Sequence, residues 1–278
     1  MNRRWLTLFA LIRLAHPLPT LLNAIAAAAL ATVAGAGLSA VGLVSLTMLG
    51  VQTFIGATND FVDRERDHGR PEKPLADGKV RSSVALLVAA VGLSVGLFAA
   101  SLVSALTLAL AALGALIGAA YNAGVKGTAL SWLPFALGLS VLPVFAWSTV
   151  SSAPPTPILT LSLVALPGGA ALALQNSLAD RAIDTERGMR SAAVRLGDSR
   201  ALAVLAALHL LTLAALLVSA PPTTSPLLLV VAGFLLLIGT MGSASPSRWL
   251  RQRAWEISAA ALAVAALAVA LATAKGVG

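Results

Sequence analysis

Asn59-Asp60-Phe61-Val62-Asp63-Arg64-Glu65-Arg66-Asp67 places four carboxylates within nine residues, in a chain where only 11% of residues are charged. On a helix, Asn59, Asp63 and Asp67 fall at i, i+4 and i+8, so their side chains stack along one face. Like charges that close repel unless something positive lies between them. A solvated helix end would account for one such run, but a second copy counts against that reading. Moving 117 residues along the chain, Asn59, Asp63, Arg64, Asp67 and Arg70 recur as Asn176, Asp180, Arg181, Asp184 and Arg187, with Ser177 in the place of Asp60. Five identities at one offset describe an internal repeat. Two carboxylate ladders brought together form an oxygen-rich pocket, and a hard divalent cation such as Mg²⁺ is its natural occupant.

The remainder of the chain is built for lipid. Of its 278 residues 58% are hydrophobic, and the mean hydropathy of +0.89 is far above what a soluble domain of this size needs. Nine apolar stretches are long enough to cross a bilayer as helices, at about 11–33, 38–58, 82–103, 104–122, 132–150, 157–178, 200–219, 226–243 and 256–274. The division between the third and fourth rests only on Ser101 to Ser104. The expected fold is therefore all-α and polytopic: one domain over 1–278, with Asp-rich loops at about 59–81 and 176–199. Cysteine is absent, which excludes disulfides and thiolate chemistry.

With nine spans, 18 of the 19 Lys and Arg residues and all 11 acidic residues fall on one side of the membrane, leaving Lys275 on the other. By the positive-inside rule that side is cytoplasmic. This placement sets the net charge of +8 beside lipid headgroups and not beside nucleic acid. Arg3-Arg4 followed by apolar residues resembles a signal peptide, but no small-residue cleavage site precedes a polar segment. The stretch Asn2–His16 reads as an amphipathic lead-in, with Trp5 and Phe9 at the interface.

Several residues carry two readings. Arg13 either snorkels to lipid phosphate or faces a ligand. Arg70 and Lys73 lie in a Pro- and Gly-broken loop beside the carboxylates, where a planar fork and a point charge could clamp phosphate. Tyr121, the single tyrosine, is an interface anchor or, with Lys126, a contact for a diphosphate. His16 and His209 read as structural and Asn23 as an interhelical hydrogen bonder, with Trp249 and Trp255 as interface anchors. Phe54, Phe61, Trp132, Phe135, Phe145 and Trp147 are either packing or rings able to face a cation.

Carboxylates for Mg²⁺ beside Arg and Lys suit a polyphosphate, and apolar helices suit a hydrocarbon tail, a combination found in prenyl diphosphates. The pattern Asn59-Asp60-x-x-Asp63-x-x-x-Asp67, the later Asp180-x-x-x-Asp184-x-x-x-Gly188, Tyr121 with Lys126 between them, and Lys73-Pro74-Leu75-x-x-Gly78 resemble the UbiA superfamily of intramembrane prenyltransferases. Lys73 stands where that family often has Arg. The resemblance implies Mg²⁺ held by Asn59, Asp63, Asp67, Asp180 and Asp184, with Asp60 and Asn176 beside them. It also implies that Lys73, Lys126, Tyr121, Arg70 and Arg13 face the diphosphate of a prenyl donor. The prenyl group would pass through an allylic carbocation to a small aromatic or other lipophilic acceptor, in a bacterial or archaeal cell membrane with the site facing the cytoplasm. The competing classes are a transporter with a cytoplasmic-side cation site and a non-catalytic lipid-binding relative. A transporter would place charge near the bilayer midplane, and a non-catalytic relative would tolerate loss of the carboxylates.

Overall fold

The computed structural model describes residues 3–68 and 73–277, and among them the secondary structure is helical throughout. The helices are α1 (Arg3–Leu14), α2 (Pro17–Val33), α3 (Leu38–Asp63), α4 (Ser82–Ser101), α5 (Ala105–Asn122), α6 (Leu133–Trp147), α7 (Thr156–Glu186), α8 (Ala192–Ser219), α9 (Pro226–Ser243) and α10 (Arg248–Val277). Seven of the described helices, α3 to α5 and α7 to α10, are long and apolar enough to cross a bilayer, while α2 and α6 are apolar but shorter, at 17 and 15 residues. The third and fourth expected spans are separate helices. Ser104 divides them by accepting the Thr107 amide at 3.0 Å, which caps the start of α5.

The repeat extends beyond the motifs. Shifted by 117 residues, the starts of α2, α3 and α5 fall within about one turn of the starts of α6, α7 and α9, and α4 falls on the part of α8 after Gly197. Gly197 has φ of 73°, which breaks α8 into a short first segment and a long second one. Helix α10 follows the two halves.

Small residues bring these helices together. A methyl group on Gly50 of α3 would collide with the Gly92 carbonyl and the Gly96 backbone of α4, and one on Gly169 of α7 would come within 2.5 Å of the Phe135 carbonyl of α6. Backbones at that separation gain dispersion contact, which replaces a hydrophobic driving force in lipid. Helix α7 is central, with 61% of its apolar stretch buried against 22% for α3.

Length then places the motifs. At about 1.5 Å per residue, the 31 residues of α7 run roughly 46 Å, well past a hydrocarbon core of about 30 Å. The last turns, which carry Asp180 and Asp184, extend beyond the apolar stretch. Helix α3 ends sooner than its ladder, at Asp63. Asp67 lies in the following turn and keeps its place one turn on, because its amide still donates to the Asp63 carbonyl at 2.7 Å.

Candidate active site

The ends of α3 and α7 open into one cavity of about 810 Å³. Asn59, Asp63 and Asp67 line it from the first half, and Asn176, Asp180 and Asp184 from the second. Lys73, Tyr121 and Lys126 join them, as do Arg66 and Arg187. Away from this charged end the walls are apolar, with Leu30 of α2, Leu110 of α5, Leu142 of α6, and Leu262 and Leu267 of α10.

Two loops deliver the basic residues. Leu75 and Val80 are buried against Ala10 and Leu14 of α1 and Ala85 of α4, which fixes the segment after α3 and holds Lys73 over the cavity. Lys126 sits in a single 3₁₀ turn, Val125–Gly127. That turn is tied to the loop after α7, since the Arg190 amide donates to the Gly127 carbonyl at 3.1 Å and the Ala192 amide to Ser131 Oγ, also at 3.1 Å.

Cations separate the carboxylates. Lys126 Nζ is 2.5 Å from Asp63 Oδ2, and Arg66 Nη1 is 3.0 Å from Asp63 Oδ1. Arg187 Nη1 lies 3.4 Å from Asp67 Oδ1, with Lys73 Nζ at 3.9 Å from Asp67 Oδ2. Burial pushes the Lys126 ammonium below its ordinary value, against the pull of the hydrogen-bonded Asp63. Among the described residues, no three carboxylate or histidine side chains converge closely enough to enclose a metal ion by themselves. Tyr121 packs edge-on to Phe135 with ring centroids 5.5 Å apart, has Asn176 beside its hydroxyl, and has Lys126 Nζ 6.0 Å from its ring centre.

Two expected residues face elsewhere. Asp60 follows Asn59 by about 100° around α3 and turns toward the junction of α1 and α2. There its Oδ1 accepts from Lys73 Nζ at 2.6 Å and pairs with His16 Nε2 at 2.9 Å. Asp60 and Arg13 line a smaller recess with Trp255 and Glu256, which adjoins the cavity through His16 and Lys73. Arg70 lies outside the described residues. Of the arginines shared by the repeat, Arg64 and Arg181 point away from the cavity: Arg64 stacks on Phe61 at 4.7 Å, and Arg181 makes two 2.6 Å bonds to Asp198.

A model of the UbiA prenyltransferase family matches residues 20–262. The chain belongs to that family. It is a multi-pass membrane protein and an intramembrane prenyltransferase. Its fold is similar to that of an apo UbiA homologue from Aeropyrum pernix K1, at TM-score 0.72 and 18% identity, covering 90% of this chain and 96% of that one. A UbiA homologue from Archaeoglobus fulgidus bound to GPP and Mg²⁺ has TM-score 0.71 and 19% identity, with 94% and 99% covered. A digeranylgeranylglyceryl phosphate synthase has TM-score 0.69 and 19% identity, with 98% and 99% covered. No curated protein sequence matches the chain.

Sequence reasoning missed Arg66, Arg187 and Asn122 as part of this UbiA-family cavity. Arg66 was legible in principle, lying one turn beyond Asp63 on the same face, and Arg187 likewise follows Asp184 by three. Trp255, expected as an interface anchor, lines the cavity, whereas Trp249 is 61% exposed as an anchor would be. Asn23 also faces the cavity and bonds within its own helix, to the Pro19 carbonyl at 2.9 Å. His209 is buried and bonded to Thr240, as a structural residue should be.

Proposed function

We propose that this UbiA-family enzyme transfers a prenyl group from a prenyl diphosphate to a small aromatic or other lipophilic acceptor, with Mg²⁺ on the diphosphate. The observation that carries the reading is that a single cavity joins both Asp motifs and four basic side chains to an apolar chamber. The diphosphate lies among Lys126, Lys73, Arg66 and Arg187, and the hydrocarbon tail along the leucines of α2, α5, α6 and α10. In this reading all nine helices α2 to α10 span the membrane, with the motif ends on the cytoplasmic side of a bacterial or archaeal cell membrane.

The donor set fits Mg²⁺. Asn59, Asp63, Asp67, Asn176, Asp180 and Asp184 offer oxygen ligands, and Asp63 Oδ1 is buried without a hydrogen bond although Arg66 is near. Mg²⁺ is ordinarily held by one or two carboxylates plus substrate phosphates, so a preformed cage of three is not required. When bound, the ion neutralises charge gathering on the departing diphosphate. The protein's own residues do the rest. Lys126 and Lys73 place positive charge at the phosphates, Tyr121 orients its hydroxyl beside Asn176, and the apolar walls keep water from the allylic cation. Asp60 acts by holding Lys73 and His16. The test is product identification by mass spectrometry after incubating protein in nanodiscs with geranyl, farnesyl or geranylgeranyl diphosphate and a panel of aromatic and polar-lipid acceptors. A prenylated product formed only with Mg²⁺ supports the reading, and none with any pair refutes it.

A further inference from the structure

Asn59 reaches the cavity from the last turn of α3, yet an asparagine can offer a cation only its Oδ1, the other amide atom being a donor. Asn122, the last residue of α5, decides which one faces inward. Its side chain is buried, with 2% exposure, and Nδ2 donates to the Ile55 carbonyl at 2.9 Å and to Thr58 Oγ1 at 2.8 Å. Its Oδ1 accepts from Asn59 Nδ2 at 3.0 Å. A backbone carbonyl can only accept, so Asn122 must turn its Nδ2 toward Ile55. Its Oδ1 then faces Asn59, which must answer with Nδ2. Asn59 Oδ1 is left as the amide atom for the cavity.

We infer that Asn122 is a positioning residue for the transfer reaction, holding the Asn59 amide so that an oxygen and not an NH₂ group is presented to the cation of the Mg²⁺–diphosphate. This rests on the metal site proposed above. Outer partners that orient a ligand in this way are commonly worth about 10–100-fold in metal affinity.

The second half carries the same helix-to-helix clasp with its members exchanged. Positions 58 and 122 correspond, 117 residues on, to Gln175 and Gly239. There the amide belongs to α7, and Gln175 Nε2 donates to the Gly239 carbonyl at 3.1 Å and to Ser243 Oγ at 3.0 Å. Gln175, Gly239 and Ser243 lie outside the cavity wall, so this clasp joins α7 to α9 without orienting a cavity ligand. It provides the control.

The test uses the full chain in nanodiscs with Mn²⁺ and geranyl diphosphate and no acceptor, reading protein-bound Mn²⁺ by electron paramagnetic resonance. Asn122→Ala weakens Mn²⁺ binding by about tenfold, while Gln175→Ala lowers the thermal midpoint and leaves Mn²⁺ affinity unchanged. In an Asn59→Asp background both terminal atoms are oxygens, and the carboxylate faces Asn122 Oδ1 as a second acceptor. Adding Asn122→Ala there leaves Mn²⁺ affinity unchanged or raises it. Equal weakening in both backgrounds, or no effect of Asn122→Ala on a wild type that binds Mn²⁺, overturns the inference. A wild type that binds no Mn²⁺ refutes the metal site itself and the inference with it.

Discussion

Lys126 Nζ and Asp63 Oδ2 lie 2.5 Å apart, with side-chain exposures of 8% and 11%. A lysine from the loop after α5 thus neutralises the carboxylate that ends α3. Removing Lys126 leaves Asp63 with Arg66 as its remaining cation, whereas removing Asp63 leaves Lys126 buried without its hydrogen-bond partner. Lys126→Ala is expected to cost about 1–3 kcal/mol of stability, read by thermal unfolding. Because Asp63→Ala removes the charge that Lys126 offsets, the double variant is expected to lose less than the two singles combined. Strict additivity would show that the pair does not interact.

Tyr121 separates an anchor from a substrate contact. Tyr121→Phe keeps the edge-on packing against Phe135 and deletes only the hydroxyl beside Asn176. Turnover is expected to fall by about tenfold, with stability changed by no more than about 1 kcal/mol. Unchanged turnover would return Tyr121 to a packing role.

The repeat does not mark the cavity at Arg64 and Arg181. Arg181 pairs with Asp198, which is 64% exposed, so Arg181→Ala is expected to cost at most about 1 kcal/mol and to leave turnover near normal. Arg66→Ala, a position with no counterpart in the repeat, is expected to raise KM for the prenyl diphosphate about tenfold, since it removes a charge-assisted contact. Steady-state kinetics on both variants tests the contrast, and equal effects would contradict it.

Gly50 is set by close approach. Gly50→Leu forces a side chain into the backbone of α4 at Gly92 and Gly96 and is expected to destabilise the protein by about 1–3 kcal/mol or more. A Gly50→Leu protein with an unchanged thermal midpoint would mean that α3 and α4 are not packed this closely.

Much of this architecture was legible because the bilayer imposes it. Apolar length marks the spans, and a serine cap divides α4 from α5. The two motifs were legible because charge is rare in such a chain, so repetition at one offset stands out. Rotation about each helix axis was not legible. Asp60 sits beside Asn59 in sequence but faces His16 and Lys73, because α1 and the loop after α3 pack on that side. Asp67 lay beyond the end of α3 because helical structure stops at Asp63, a boundary the charge pattern alone did not mark.

If the ends of α3 and α7 form one site for Mg²⁺ and a prenyl diphosphate, turnover needs both Asp63 and Asp180. The most direct measurement is pyrophosphate release by wild type, Asp63→Ala and Asp180→Ala proteins in nanodiscs, with a prenyl diphosphate and a productive acceptor, with and without Mg²⁺. Release by the wild type is expected only with Mg²⁺, and it is lost in both variants while they remain folded and membrane-inserted. Near-normal release by either variant would contradict a shared site.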